Sequence, residues 1–173
     1  MECVDKVMAQ LKDFRVKLDD RTEVTPGYKY HEWELRGVPL RLEIGPKDVE
    51  KNSVMAARRD MPGKPGKSFL SQDNLAAQVQ DLLDTIQNAL LVKAENFRDA
   101  NIHEANSYDE LKQIVENGWA EAWWCGDPAC EAKIKEDTKA TSRCMNFEHQ
   151  HGHGKCVVCG KDAEKKIYFS KAY

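Results

Sequence analysis

The chain lacks any long apolar run and any large excess of charge of one sign. None of its apolar stretches approaches the roughly 20 residues that a helix needs to cross a bilayer. The opening segment MECVDKVMAQLKD carries acids and lysines inside its apolar stripe, unlike a secretory signal. The formal net charge of the 173 residues is -3, so a nucleic-acid partner would need a local patch or pocket. We therefore expect a cytoplasmic protein with no membrane partner.

The familiar motifs of nucleotide binding and hydrolysis are also missing. The sequence contains no phosphate loop, no dinucleotide fingerprint, no nucleophile elbow and no H-E-x-x-H helix. The segment GKPGKS at 63–68 lacks the spacing of a phosphate loop. Asp19 and Asp20 are adjacent, so in an extended segment they point to opposite faces and cannot act as a pair. The chain by itself is not expected to be a complete enzyme.

The patterns that are present predict a globular α/β protein. Hydrophobic residues make up 41% and charged residues 32% of the chain, which is ordinary for a globular domain. Apolar spacing and capping signals predict helices at 2–14, 28–36, 71–100, 107–118 and 127–137. Alternation of apolar and polar residues predicts strands at 15–20, 39–44, 54–59, 141–147 and 166–169.

Four of the six cysteines form two closely spaced pairs. Cys125 and Cys130 are a C-x4-C pair beside a helix start, and Cys156 and Cys159 are a C-x2-C pair in a glycine-rich loop. Zn²⁺ prefers soft donors at tetrahedral corners, and each short pair lets one turn supply two of them. The spacing therefore predicts one structural Zn²⁺ bound by four thiolates, with no open position for water or substrate.

Other interpretations of the cysteines stay open at this stage. The four could be unligated core residues, and the 156–159 pair could be a redox motif, although a strand pattern follows it. One of the nearby histidines in FEHQHGHGKC could replace a cysteine as ligand: His149, His151 or His153. The remaining two cysteines, Cys3 and Cys144, are predicted to be small buried residues.

Two separate blocks of sequence resemble one family. The block at 17–50, KLDDRTEVTPGYKYHEWELRGVPLRLEIGPKDVE, closely resembles the anticodon-binding domain of class II aminoacyl-tRNA synthetases, and specifically prolyl-tRNA synthetase of the eukaryotic/archaeal-like type. The tail is similar to that family's C-terminal zinc-binding extension in three segments, WCGDPACEAKIKEDTKATSRC, KCVVCG and YFSKAY. The resemblance covers nearly the whole chain.

The resemblance implies an anticodon-binding domain with a mixed sheet and helices at 1–70, a linking helix at 71–106 and a small α/β zinc-binding domain at 107–173. It places the family's zinc ligands on the same four cysteines and matches Cys144 with a buried cysteine that is not a ligand. In the family the zinc domain packs toward the catalytic domain, and the C-terminal tyrosine, here Tyr173, reaches near the active site.

The family's catalytic domain, which uses ATP and Mg²⁺, would precede residue 1, as would the first strand of the anticodon-binding domain. We therefore expect an N-terminally truncated anticodon-binding domain that is marginally stable alone, beside a self-sufficient zinc domain. Aminoacylation by this chain alone is not expected. The full-length enzyme is expected to be a homodimer.

The implied RNA partner is the anticodon of tRNA(Pro), which ends in two guanines. Carboxylates suit the N–H donors of guanine, and unstacked bases are held by aromatic or guanidinium planes. The candidates for contacts to base edges are Glu32, Glu34 and Asp48. The candidates for contacts to phosphates or base acceptors are Lys29, Arg36, Arg41, Arg58 and Arg59. The candidates for stacking are Tyr30 or Trp33. For single residues the ordinary alternatives are core packing of Trp33 and a solvated charged surface.

Three functions are compatible with these observations. The preferred one is the tRNA-binding and zinc-binding C-terminal part of prolyl-tRNA synthetase, which ligates proline to its tRNA. The second is a freestanding RNA- or protein-binding module derived from that synthetase. The third is an unrelated zinc-stabilised interaction domain.

Overall fold

The structure is a computed structural model that describes residues 2–145 and 152–172. It divides into two compact units, Met1–Lys93 (unit 1) and Ala94–Tyr173 (unit 2), and the division falls inside one long helix. Within the described ranges, no helix is both long and apolar enough to cross a bilayer. His149, His151, Tyr173 and the end of the strand predicted at 141–147 lie outside the described residues. The predicted domain limits stay predictions.

Unit 1 combines helices with a three-stranded sheet. Its elements, in chain order, are α1 (Glu2–Gln10), α2 (Pro26–Leu35), β1 (Leu40–Glu43), α3 (Pro46–Glu50), β2 (Ser53–Arg58), a 3₁₀ turn (Lys64–Gly66), β3 (Lys67–Ser71) and most of α4 (Leu75–Asn101). The strand order is β1-β2-β3, and both pairings are antiparallel.

The core of unit 1 joins the sheet to α1 and α4. Val54 of the central strand is fully buried together with Leu75 at the start of α4. Val7 and Leu11 of the first helical region pack into the same cluster, as does Val79. Burying side chains of this size contributes about 1.5–3 kcal/mol each. This packing fixes the sheet that carries the candidate RNA contacts Arg41 and Arg58.

Unit 2 is built on a four-stranded mixed sheet. It contains the end of α4 and then β4 (Ile102–Glu104), α5 (Tyr108–Ile114), β5 (Trp119–Trp124), α6 (Pro128–Thr138), β6 (Ala140–Ser142), β7 (Gly154–Lys155), β8 (Asp162–Ala163) and β9 (Lys165–Lys171). The order is β4-β5-β9-β6, with β4 and β5 parallel and the other pairs antiparallel. β7 and β8 form a separate two-stranded ribbon.

The core of unit 2 lies between this sheet and the helices α5 and α6. Phe169 of β9, Leu111 of α5 and Ile134 of α6 are all fully buried. On β5 the small residues Ala120 and Ala122 face the same core. Small residues on the strand let the helices approach closely, which positions the two loops that carry the paired cysteines.

The predicted α/β class is confirmed, and so are the elements with strong local signals. Ser107 caps α5 by accepting a hydrogen bond from the Glu110 N–H at 3.2 Å. Asp127 caps α6 by accepting from the Ala129 N–H at 2.9 Å. Gly37 follows α2 with a φ of +86°. Because these signals lie within a few residues of the element they end or begin, the sequence locates them well.

Some predicted elements are wrong or shifted. Residues 15–20 form no strand, because the charged side chains of this segment pair with α2 instead of joining a ladder. The first helix ends at Gln10, and the long helix begins at Leu75, because 67–71 form β3. The sequence patterns did not predict β3, β4, β5 or α3, because these elements are short or show little alternation of apolar and polar residues.

We expect Gly66→Ala to destabilise unit 1 by about 1–3 kcal/mol, the usual cost of overpacking. A Cβ atom at this buried position would lie 1.9 Å from the Met61 carbonyl oxygen, so the backbone before β3 would have to move. The measurement is hydrogen exchange of the amides of β2. Gly27→Ala is the matched control because nothing lies within 4 Å of its Cβ position. Equal protection in both variants would contradict the prediction.

Candidate functional site

The four paired cysteines lie on two loops of unit 2. Cys125 follows β5 directly, and Cys130 lies in the first turn of α6. Cys156 and Cys159 lie in the turn between β7 and β8. Two glycines in left-handed conformations shape these loops, Gly126 with a φ of +82° and Gly160 with a φ of +72°. Such φ values are accessible to glycine at no steric cost.

The four sulfur atoms of this cysteine cluster surround one position. They all lie within 4.8 Å of one another. The Sγ atom of Cys125 is 3.8 Å from that of Cys130 and 3.7 Å from that of Cys159. A tetrahedral Zn²⁺ with four Zn–S bonds of about 2.3 Å requires sulfur separations of about 3.8 Å. The cluster therefore has the size and donor set to hold one metal ion.

The backbone around Cys156 favours the thiolate form of that residue. Burial raises the pKa of the Cys156 thiol, but three backbone N–H groups donate hydrogen bonds to it and lower that pKa to about 7; they belong to Cys125, Val158 and Cys159. The pKa of Cys130 is raised far above its usual range, chiefly by burial. Thiolates are the form that binds metal, so the N–H groups of the turn prepare one corner of the site.

The remaining thiols and His153 are separate from the cluster. All six cysteines are free thiols. Cys3 is half-buried, with its Sγ 3.4 Å from the amide nitrogen of Gln72. Cys144 is exposed, so the prediction that it is buried was wrong: β6 ends at Ser142, and Cys144 contributes only its backbone, accepting from the Tyr168 N–H. His153 is exposed and does not belong to the cluster.

A second candidate site is the polar surface of unit 1 around α2. Its centre is Asp19, which accepts hydrogen bonds from the Arg21 guanidinium at 2.7 and 2.9 Å and from the Trp33 indole N–H at 2.8 Å. The Lys29 ammonium lies 3.7 Å from the same carboxylate. The bonds from Arg21 are the main reason that the pKa of Asp19 lies far below its ordinary value. Asp19 thereby fixes an irregular segment against α2.

Arg21 extends this arrangement to Glu32. It donates to one Glu32 oxygen at 2.7 Å, while Arg36 donates to the other at 2.6 Å. The Arg21 bond is the largest cause of the lowered pKa of Glu32. The Arg36 guanidinium also lies 5.0 Å from the centre of the Trp33 ring. Both oxygens of Glu32 are thus engaged, which reduces its capacity to bind a base.

Glu34 and Arg41 form a second group on the same surface. The Arg41 guanidinium donates to Glu34 at 2.7 Å and to Glu43 at 3.0 Å, and it lies 3.9 Å from the centre of the Tyr30 ring. Glu34 is partly exposed at 43% of its side chain. A carboxylate at the surface next to a stacked guanidinium can accept hydrogen bonds from a base edge.

The other predicted contacts are engaged within unit 1. One oxygen of Asp48 accepts from the Gly45 N–H at 2.9 Å and caps α3. Arg58 donates to Asp60 at 2.7 and 3.1 Å. Arg59 is exposed and lines a narrow crevice of about 10 Å³ with Trp33 and Glu34. Trp33 is half-buried and bonded to Asp19, and it belongs to neither apolar cluster of the described residues.

Asp19 and Arg21 were not among the residues predicted to form a site, since Asp19 drew notice only as the neighbour of Asp20. An Asp and an Arg two residues apart in an extended segment point to the same side, and this spacing could have indicated their bidentate pair. Their partners on α2, more than ten residues away, could not be read from the spacing.

Two known families match the chain. Residues 1–89 match the family described as "Anticodon binding domain". Residues 108–173 match the family described as "Prolyl-tRNA synthetase, C-terminal". The two matches follow each other along the chain, one in each block that the sequence analysis had marked.

Several known proteins are similar over the whole chain. A proline--tRNA ligase of Chloroflexus aurantiacus is 47% identical over 174 residues, and one of Natranaerobius thermophilus is 49% identical over 178; each alignment covers 100% of this chain and 36% of the relative. The crystal structure of a prolyl-tRNA synthetase from Cryptosporidium parvum, complexed with halofuginone and AMPPNP, matches with a TM-score of 0.90 at 34% identity, covering 99% of this chain and 36% of that one. The chain thus spans about a third of the length of these relatives.

We expect Asp19→Asn to make the stability of unit 1 less sensitive to acid than that of the wild type. The folded carboxyl binds a proton less readily than the unfolded one, whose pKa is about 3.9. Its contribution is therefore complete above that pH and is lost as the pH falls below about 4. The measurement is the denaturant midpoint at pH 6 and pH 3, followed by amide resonances of unit 1.

The control for that experiment is Asp13→Asn, which changes the charge equally at an exposed position. The wild type and Asp13→Asn should lose more stability between pH 6 and pH 3 than Asp19→Asn. Equal losses in all three proteins would show that Asp19 is not held as described.

Proposed function

Since the chain belongs to the prolyl-tRNA synthetase family, spanning its anticodon-binding and C-terminal regions, we propose that it recognises the anticodon of tRNA(Pro). The observation that carries this proposal is the identity of 47% over the full length of the chain. In a complete synthetase the catalytic part would join proline to the tRNA with ATP and Mg²⁺, while this chain binds RNA and contacts that part. Dimerisation and a cytoplasmic location stay predictions.

The polar surface of unit 1 suits a single-stranded anticodon. Bases in a loop are unstacked, so a protein can stack them on aromatic or guanidinium planes and read their edges. Arg41 over Tyr30 and Arg36 beside Trp33 offer two such planes. With a net charge of -3, the chain would depend on these specific contacts more than on bulk attraction.

Glu34 and Asp48 are the best candidates for reading guanine. Guanine presents two adjacent N–H donors at its Watson–Crick edge, and a carboxylate can accept both. Glu34 is partly exposed, and Asp48 uses only its Oδ2 atom in the described part of the chain to cap α3. Glu32 fits a supporting role better, since Arg21 and Arg36 already engage both of its oxygens. Lys29, Arg41 and Arg58 would support the RNA backbone or hold these acids.

The cysteine cluster is proposed to bind one structural Zn²⁺. The sulfur separations of 3.7 and 3.8 Å support this proposal, as does the donor set of four cysteines. Four thiolates would complete a tetrahedral shell, so the ion would brace the fold and not react. It would join the start of α6 to the turn between β7 and β8.

We expect Cys156→Ser to remove the metal and unfold the loops of unit 2. Structural zinc contributes on the order of 10–16 kcal/mol to small metal-dependent folds, so the loss should be visible as collapsed dispersion of unit 2 amide resonances. Metal content is measured by mass spectrometry on protein purified without added metal. The matched control is Cys144→Ser, which removes an exposed thiol outside the cluster. A metal-free wild type that keeps its fold with chelator present would contradict the zinc proposal.

We expect Glu34→Gln to weaken binding of a proline anticodon stem–loop roughly tenfold, since a hydrogen bond to a charged group is worth about 1.5–3 kcal/mol and Arg41 leaves one Glu34 oxygen for a base. The measurement is fluorescence anisotropy with labelled RNA at fixed salt. Glu23→Gln is the control, as it removes an exposed carboxylate outside this surface. Wild-type binding that is indifferent to replacement of the two anticodon guanines by adenines would overturn the proposed function.

A further inference from the structure

A surface cleft lies between residues 17–21 and helix α2. Its volume is about 250 Å³, and α2 lines it with Glu32, Trp33 and Arg36. Ordinary small-molecule pockets begin at about 300 Å³, so this cleft suits one planar base and not a larger ligand. It lies beside the surface that holds Glu34 and Arg41, with Trp33 lining both the cleft and the crevice next to it.

Most charged groups of the cleft neutralise one another. Both oxygens of Asp19 accept hydrogen bonds, from Arg21 and Trp33. Both oxygens of Glu32 accept as well, from Arg21 and Arg36. A ligand would have to break these bonds to use either carboxylate. The pairs therefore shape the cleft and hold its walls together, and they are poor candidates for ligand contacts.

Two groups of the lining have no such partner among the described residues. The Lys17 ammonium and the Asp20 carboxylate both line the cleft, both are exposed, and neither makes a hydrogen bond or ion pair there. One is a cation that suits a phosphate, and the other is an acceptor that suits N–H donors. A nucleotide carries both complementary groups, a phosphate and a base edge.

The wall of the cleft supplies a stacking surface. The Trp33 ring is held by its bond to Asp19, and the Arg36 guanidinium lies 5.0 Å from the ring centre. Bases stack on such planes with little dependence on their identity. The cleft thus combines a plane, a free acceptor and a free cation within one small volume.

We propose that this cleft binds one further nucleotide of the RNA, next to the two guanines, with its base against Arg36 and Trp33, its amino group donating to Asp20 and its phosphate on Lys17. The inference rests on the proposed function, since it assumes that the anticodon loop lies on this surface. It adds Lys17 and Asp20 to the contacts and assigns Asp19 and Arg21 to positioning them.

The test uses a set of anticodon stem–loops, each with one abasic nucleotide at a different loop position. The affinity of each RNA is measured for the full-length wild-type chain and for the full-length chain with Asp20→Asn. Wild-type affinity should fall at the two guanines and at one neighbouring position. Asp20→Asn should lower affinity for intact RNA about fivefold to tenfold, in the range of one ordinary hydrogen bond, because the asparagine side chain keeps a weaker acceptor. At the neighbouring position alone, the abasic change should then cost Asp20→Asn less than it costs the wild type, because only the stacking contact with Arg36 and Trp33 remains to be lost.

Two controls complete the design. Asp13→Asn removes an equal charge at an exposed site away from the cleft and should leave every affinity unchanged. Lys17→Gln should reduce the slope of log affinity against log salt by about 0.7, the value for one phosphate contact on a single strand. The inference would be overturned if abasic nucleotides lowered affinity only at the two guanines. It would also be overturned if the effects of Asp20→Asn and of the abasic nucleotide on affinity were independent at every position. Either result would leave the proposed function intact. Indifference to the guanines would instead overturn the proposed function.

Discussion

Four sulfur atoms from two short loops converge within 4.8 Å in unit 2. This convergence brings the end of β5, the first turn of α6 and the turn between β7 and β8 to one place, where a bound metal ion would tie them together. The apolar core between the sheet and helices has alanines at two of the inward positions of β5. A metal ion at this point would add to the cohesion that this core provides.

Unit 1 is held together by different contacts. Its sheet and the helices α1 and α4 share an apolar core, but the segment before α2 has no regular structure. Charge pairs hold that segment: Asp19 engages Arg21, Lys29 and Trp33, and Arg21 continues to Glu32. These pairs are part-buried and fix the geometry of the polar surface around α2.

This arrangement explains how a chain of net charge -3 could read RNA. Acidic and basic side chains on the polar surface neutralise one another. Under the proposed function, the few charged side chains without a partner among the described residues define where a nucleotide can bind. Recognition would then depend on stacking planes and base edges, which favours selectivity over general attraction to polyanions.

The sequence by itself determined the features that depend on residues close together along the chain. The capped helices at Ser107 and Asp127 were predicted correctly because capping acts over a few residues. The predicted grouping of the two cysteine pairs in space is confirmed as well, while their binding of zinc stays a prediction. The family was also recognisable from motif blocks alone. Only the tertiary structure decided that 15–20 is not a strand, that Cys144 is exposed and that Glu32 is engaged by Arg21. Each of these depends on partners distant in sequence, as do β3 and β5, whose weak local patterns are overridden by pairing and packing across the sheet.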